Sequence, residues 1–225
     1  MIKAIFFDLF FTLIYPHYSS TNNEFDILNI TKEEWEEHAE NPILYKERAL
    51  GKVMSEEDII NKILKTFENE KYYEQCERVL DSRLSRMRAA IDNVNDDIIF
   101  TLSELRKRNI KLCLISNADV IDCKYWNQSV LSTYFDKSIF SCNVGILKPD
   151  VNIYKLAMNQ MGVKASESIF VGDGGSNEIF GAKQVGMTTV FTEYLEKKEE
   201  NKRKYILPYT DYVINQFNQL LDIII

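Results

Sequence analysis

Ala4-Ile5-Phe6-Phe7 is an apolar run that stops abruptly at Asp8, with the length and residue types of a strand buried on both faces. The same break recurs where Lys111 to Ile115 meets Ser116-Asn117, and where Ser168 to Val171 meets Gly172-Asp173. Thr188 to Phe191 and Asp211 to Ile214 are shorter strand candidates. Helical patterns lie between these runs, over Asp96 to Arg108, Val120 to Leu131, Asn152 to Met161 and Glu178 to Val185. Strands alternating with helices predict right-handed β-α-β units and an α/β fold, a three-layer doubly wound parallel sheet.

Between about Tyr15 and Asn93 the pattern changes. Strand-like runs vanish, and charged helical stretches such as Thr31 to Glu40 and Ser55 to Glu68 replace them. Ser55-Glu56-Glu57-Asp58 has the capping hydroxyl and first-turn acids that satisfy and complement free backbone N–H groups. The expected organisation is an α/β core from residues 1–15 and 93–225, with a helical unit, 16–92, inserted between them.

Composition narrows the partners. The 225 residues are 45% hydrophobic and 27% charged, ordinary for a folded chain, and the net charge of −7 provides no positive field to gather nucleic acid or acidic lipid. The mixed-charge stretch Glu196 to Lys204 reads as a solvated helix face or loop. Four cysteines without a C-x-x-C pair, and two histidines, give no zinc-site spacing, and the start at Met1 runs straight into a strand. A reducing cytoplasm is the expected location, with no membrane and no nucleic acid as partners; oligomeric state is left open. Ile223-Ile224-Ile225 is too short to span a bilayer and is expected to be a docked terminus.

In a doubly wound sheet, ligands sit beyond the carboxyl ends of the strands. There stand Asp8, Thr12, Ser116, Asn117 and Asp173, with Lys148 arriving from a connection. Carboxylates, hydroxyls and an ammonium together suit a divalent cation and a phosphoryl group. Taken singly, Asp8, Ser116 and Asn117 also fit turns or helix caps, and Lys148 fits a solvated surface lysine.

The order of these residues resembles the four motifs of the haloacid dehalogenase superfamily. Phe7-Asp8-Leu9-Phe10-Phe11-Thr12-Leu13 is similar to its first motif, Leu114-Ile115-Ser116-Asn117 to its second, Gly145 to Asp150 around Lys148 to its third, and Phe170 to Glu178 to its fourth. The resemblance implies Asp8 as covalent nucleophile, and Thr12, Ser116 and Lys148 as groups that bind and neutralise the transferring group. It further implies Mg²⁺ held by Asp8, the backbone carbonyl of Phe10, Asp173, and Asn177 or Glu178. The family also places a helical cap after the first motif, which agrees with the change after Tyr15. Asn117 and Arg48 are substrate-binding candidates; Tyr45 and Trp35 are further cap candidates, although packing between cap helices or exposure to solvent is the commoner reason for such side chains.

Two positions depart from the family pattern. Phosphatases of the superfamily usually carry a second aspartate two residues after the nucleophile, where this chain has Phe10, and a phenyl ring shuttles no proton. Glycine is common where this chain has Phe11; both rings also read as an extension of the Phe6-Phe7 core. The reading favoured is a Mg²⁺-dependent hydrolase of a small phosphate monoester, because Asp173 and Glu178 are retained. The alternatives are a 2-haloacid dehalogenase-type hydrolase with an ester on Asp8, or a weakened catalyst that binds a phosphorylated ligand.

Overall fold

In the computed structural model, which describes residues 1–224, β1 (Ala4–Phe7), β2 (Lys111–Ser116), β3 (Lys137–Phe140), β4 (Ser168–Gly172), β5 (Thr188–Thr192) and β6 (Tyr212–Ile214) form one sheet. Its order is β3-β2-β1-β4-β5-β6, and all its pairings are parallel. The order reverses at β1, so the crevice at the switch point opens beside the carboxyl end of that strand, where Asp8 stands.

Helices between β1 and β2 are α1 (Glu24–Leu28), α2 (Lys32–Ala39), α3 (Pro42–Ala49), α4 (Glu56–Lys65), α5 (Glu70–Tyr73), α6 (Cys76–Asp92) and α7 (Asp96–Lys107). Later in the chain come α8 (Val120–Cys123), α9 (Ser141–Val144), α10 (Val151–Met161), α11 (Glu178–Gln184), α12 (Glu200–Ile206) and α13 (Leu220–Ile223).

Alternation along the central strands divides the core between two faces. Ile5, Phe7, Leu112, Leu114, Ile169 and Val171 meet Ile98, Leu102 and Leu105 of α7 and the chain end around Phe217 and Leu220. Phe6, Cys113, Ile115 and Phe170 point the other way, against Ile153, Tyr154 and Ala157 of α10 and Ile179 and Ala182 of α11. These are the three layers expected from the sequence.

A third cluster joins Trp35 of α2, Ile59, Ile60 and Ile63 of α4, and Val79 of α6 with Ile121 of α8, so the helical segment after β1 has its own apolar core and meets the sheet unit at α8. Its boundaries follow side-chain chemistry. Thr31 accepts the Glu34 N–H at 3.1 Å and Ser55 accepts the Asp58 N–H at 3.2 Å, each satisfying an orphan donor at a helix start.

One expectation needs correction. The helix expected over Val120 to Leu131 is a single turn, α8, followed by 3₁₀ turns at Trp126–Gln128 and Leu131–Tyr134. Ser129 closes the first of these turns: its hydroxyl donates to the Trp126 carbonyl at 2.7 Å and accepts the Ser132 N–H at 3.2 Å, diverting groups a continuous helix would use. Strand β3 has no counterpart in the apolar pattern because it is an edge strand with Lys137 and Ser138 exposed. Finally, Ile223 and Ile224 pack partly buried against the core, whereas Ile225 of the expected docked terminus lies outside the described residues. Among the described residues no helix is long and apolar enough to cross a membrane.

Candidate active site

Asp8 leaves the end of β1 with its N–H donating to the Val171 carbonyl at 2.9 Å, which fixes the first turn of the loop against β4. Its two carboxylate oxygens are then taken separately: Thr12 Oγ1 donates to Oδ2 at 3.0 Å, and Lys148 Nζ lies 2.5 Å from Oδ1. All three side chains are buried. Lys148 also reaches Glu178 Oε2 at 2.5 Å, so one ammonium bridges two carboxylates. Burial alone would drive both acids towards their neutral forms and pushes the Asp8 and Glu178 pKa values up, while the lysine between them pulls both back. The two carboxylates in turn hold the proton on Lys148 more tightly than its burial releases it.

Asn117 positions this lysine from the end of β2. Its side chain accepts the Lys148 N–H at 2.8 Å and donates to the Lys148 carbonyl at 3.0 Å, a two-point clamp on the backbone of the expected third motif. Beside it, the Ser116 hydroxyl is fully buried and has no hydrogen-bond partner among the described residues. A buried hydroxyl without a partner is costly unless a ligand completes it, and this one stands at the strand end where a ligand is expected.

The turn after β4 supplies the remaining acids. Asp173 accepts the Gly175 N–H at 3.0 Å, and Glu178 Oε1 accepts the Gly174 N–H at 3.2 Å. Gly172 is required here: a Cβ on it would lie 2.1 Å from Glu178 Oε1, so any side chain would evict the carboxylate. Asp8, Asp173 and Glu178 thus present oxygens that lie within 4.8 Å of one another, all buried. An all-oxygen donor set of this kind suits a hard divalent cation. Asn177 is exposed, with φ 53°, and does not line the cavity; between the two expected alternatives, Glu178 is the one beside Asp8 and Asp173.

A cavity of about 780 Å³ opens over these groups and is walled on its far side by the helical segment. Arg48 of α3 lines it but is engaged in structure: it lies 2.9 Å from Asp119, 3.1 Å from Glu40, and donates to the Ala39 carbonyl at 2.5 Å. Tyr45 lies under the same guanidinium, 5.3 Å from its ring centre, and Trp35 is buried and stacks on Phe67. Phe10, which also packs against the core as expected, and Phe11 both border the cavity. Phe11 has φ 59°, the left-handed region that favours glycine, which gives a physical reason for the family's preference and shows that this chain carries strain there.

Two residues here carried no readable signal in the sequence. Lys198, from the stretch expected to be merely solvated, pairs with Asp173 at 2.6 Å and lies 5.2 Å above the Phe11 ring. Arg83 of α6 bridges Asp119 at 3.1 Å and Asp122 at 3.0 Å across the junction between helical segment and sheet unit. Nothing in local spacing marks either, because each acts on residues distant in the chain.

The family model for haloacid dehalogenase-like hydrolases matches residues 2–186. The chain belongs to this family. It is 33% identical over 132 residues to the glyceraldehyde 3-phosphate phosphatase of Methanocaldococcus jannaschii, a match covering 56% of this chain and 54% of that protein. The chain therefore spans about half the length of the curated relatives it matches. Among solved structures, the 2-haloacid dehalogenase from Pseudomonas syringae pv. Tomato DC3000 superposes with TM-score 0.66 at 22% identity, covering 99% of this chain and 98% of that one. The HAD phosphatase from Thermococcus onnurineus superposes with TM-score 0.60 at 26% identity, covering 99% and 97%. The six-stranded α/β architecture is thus common to dehalogenases and phosphatases, and the fold does not choose between them.

Proposed function

We propose that this family member is a Mg²⁺-dependent phosphatase of a small phosphate monoester, with Asp8 as nucleophile and residues 16–92 as a helical cap that closes the site from water. The observation that carries the reading is the buried cluster of Asp8, Asp173 and Glu178 around Lys148, since a dehalogenase that displaces halide needs no such acidic set. Names of relatives add support and put a triose phosphate on the substrate panel.

Asp8, Asp173, Glu178 and the Phe10 carbonyl are the groups that would hold the ion; once bound, it would neutralise charge on the phosphoryl oxygens. The protein's own part is specific. Thr12 and Lys148, one on each oxygen, fix the orientation of the Asp8 carboxylate that attacks phosphorus. The unpartnered Ser116 hydroxyl donates to a phosphoryl oxygen, and Lys148 supplies fixed positive charge to the group in transfer. Asn117 acts through Lys148 by clamping its backbone, and Arg48 borders the substrate space while tying the cap to Asp119.

The test is phosphate release from para-nitrophenyl phosphate with and without Mg²⁺, in the wild type and in Asp8→Asn. The proposal expects metal-dependent turnover that Asp8→Asn abolishes. Chloride release from a 2-haloacid in the presence of a chelator would replace it with the dehalogenase reading, and tight binding of phosphorylated ligands without turnover would replace it with a binding role.

A further inference from the structure

Resting on the phosphatase reading, we infer that the substrate is an ester of an acidic, ring-borne hydroxyl, an aryl-type phosphate, because among the described residues no carboxylic acid that borders the site stands free to protonate a departing alkoxide. Phe10, at the position where phosphatases of the family usually carry an acid, borders the same cavity as Asp8. The other acids that border the cavity are already ion-paired: Glu36 with Lys32 at 3.6 Å, Glu40 with Arg48 at 3.1 Å, Asp122 with Arg83 at 3.0 Å, Asp173 with Lys198 at 2.6 Å and Glu178 with Lys148 at 2.5 Å. Lys148 and Lys198 are each held by two carboxylates, and the Tyr15 hydroxyl donates to Glu196 at 3.3 Å. His17 also borders the cavity, stacked on the Tyr15 ring at 3.9 Å, and Tyr18 and Tyr45 border it too, where burial pushes both phenol pKa values up, Tyr18 to about 12, so that each releases its proton less readily than a free phenol.

The consequence is chemical. Attack by an Asp8 oxygen forms an O–P bond as the ester P–O bond breaks, and the electron pair of that bond leaves on the substrate oxygen as an anion. With no proton supplied, the step runs when that anion is stable, as a phenolate is, and stalls when it is an alkoxide. Water then attacks phosphorus, the P–O bond to Asp8 breaks with its electrons returning to the carboxylate, and both water protons leave on dihydrogen phosphate. The cavity suits a planar leaving group. Phe10 and Phe11 face it, Tyr15 meets the Phe11 ring edge-on at 5.0 Å, and the volume of about 780 Å³ is at the size of sites for drug-like molecules rather than for a three-carbon unit.

The experiment compares kcat/KM of the Mg²⁺-loaded enzyme for para-nitrophenyl phosphate, phenyl phosphate, glycerol phosphate and glyceraldehyde 3-phosphate. The expected profile falls by at least about 100-fold from the nitrophenyl to the alkyl esters. In Phe10→Asp the alkyl esters gain about 10²–10⁴-fold, and the nitrophenyl ester gains far less. A wild-type profile flat across the series overturns the inference; if that flat profile turns steep in His17→Gln, the acid is His17. The wild-type series decides the matter even if Phe10→Asp does not fold. Absence of turnover on every ester, nitrophenyl included, would instead overturn the phosphatase reading on which the inference stands.

Discussion

Arg83→Met tests how the helical segment is fastened to the sheet unit. The substitution keeps most of the apolar stem and removes a buried guanidinium that lies 3.0 Å from Asp122 and 3.1 Å from Asp119. At an effective dielectric of 20, each contact at this separation is worth about 5.5 kcal/mol of Coulomb attraction, and the pair about 11 kcal/mol gross. Desolvating the ions cancels much of this, several kcal/mol for each, so the net worth of the bridge is far smaller than the gross figure. Removing one partner is different, because the acids stay behind. Asp119 keeps Arg48 at 2.9 Å, whereas Asp122 loses its cation. The expected loss is about 3–5 kcal/mol, a large fraction of the stability of an ordinary domain. Urea unfolding at neutral pH measures it. Adding Asp122→Asn should recover about 0.5–3 kcal/mol by neutralising the stranded carboxylate, a coupling that a double-mutant cycle isolates. A loss below about 1 kcal/mol, or a double mutant no more stable than Arg83→Met alone, would refute the reasoning.

Lys148→Met should lower kcat by about 10²–10³-fold, since it removes fixed charge from the transferring group, and a similar KM would show that the charge acts in the transition state. A pH effect is expected at the alkaline side. Burial pushes Tyr18 up to about 12 from an ordinary value of 10, and burial together with Asp97 pushes Tyr194 up to about 12. The unfolded chain ionises these phenols first, so their stabilising contribution is complete below pH 10 and is lost as pH rises towards 12. Urea midpoints should fall over that interval and fall less in Tyr18→Phe and Tyr194→Phe; identical pH curves for wild type and variants would contradict this. Thr31→Ala should cost about 1 kcal/mol by freeing the Glu34 N–H at the start of α2, read from the same urea titrations.

The strands that hold the site were legible because they are buried on both faces. An apolar run such as Ile5-Phe6-Phe7 that stops at a charged residue marks the carboxyl end of a central strand, and Asp8, Ser116 and Asp173 all stand at such ends. Helix starts were legible where a capping side chain precedes first-turn acids, as at Ser55. Edge strand β3 was not, since half its residues face solvent and carry no apolar signature. Site residues separated by short spacings, or resembling motifs, were found; those joined only by the fold were not. Lys198 reaches Asp173 from a stretch whose charges look solvated, and Arg83 meets Asp122 across 39 positions. Arg48, expected to touch substrate, is spent largely on Asp119 and Glu40, a fate that its sequence neighbours do not reveal.

The central claim is covalent chemistry at Asp8. Rapid-quench mass spectrometry of the Mg²⁺-loaded enzyme turning over para-nitrophenyl phosphate tests it most directly. The account predicts a transient phosphoryl adduct on the peptide that contains Asp8, absent from Asp8→Asn and discharged by water as phosphate appears. Turnover at full rate with no adduct on that peptide, or an adduct on another residue, would contradict it.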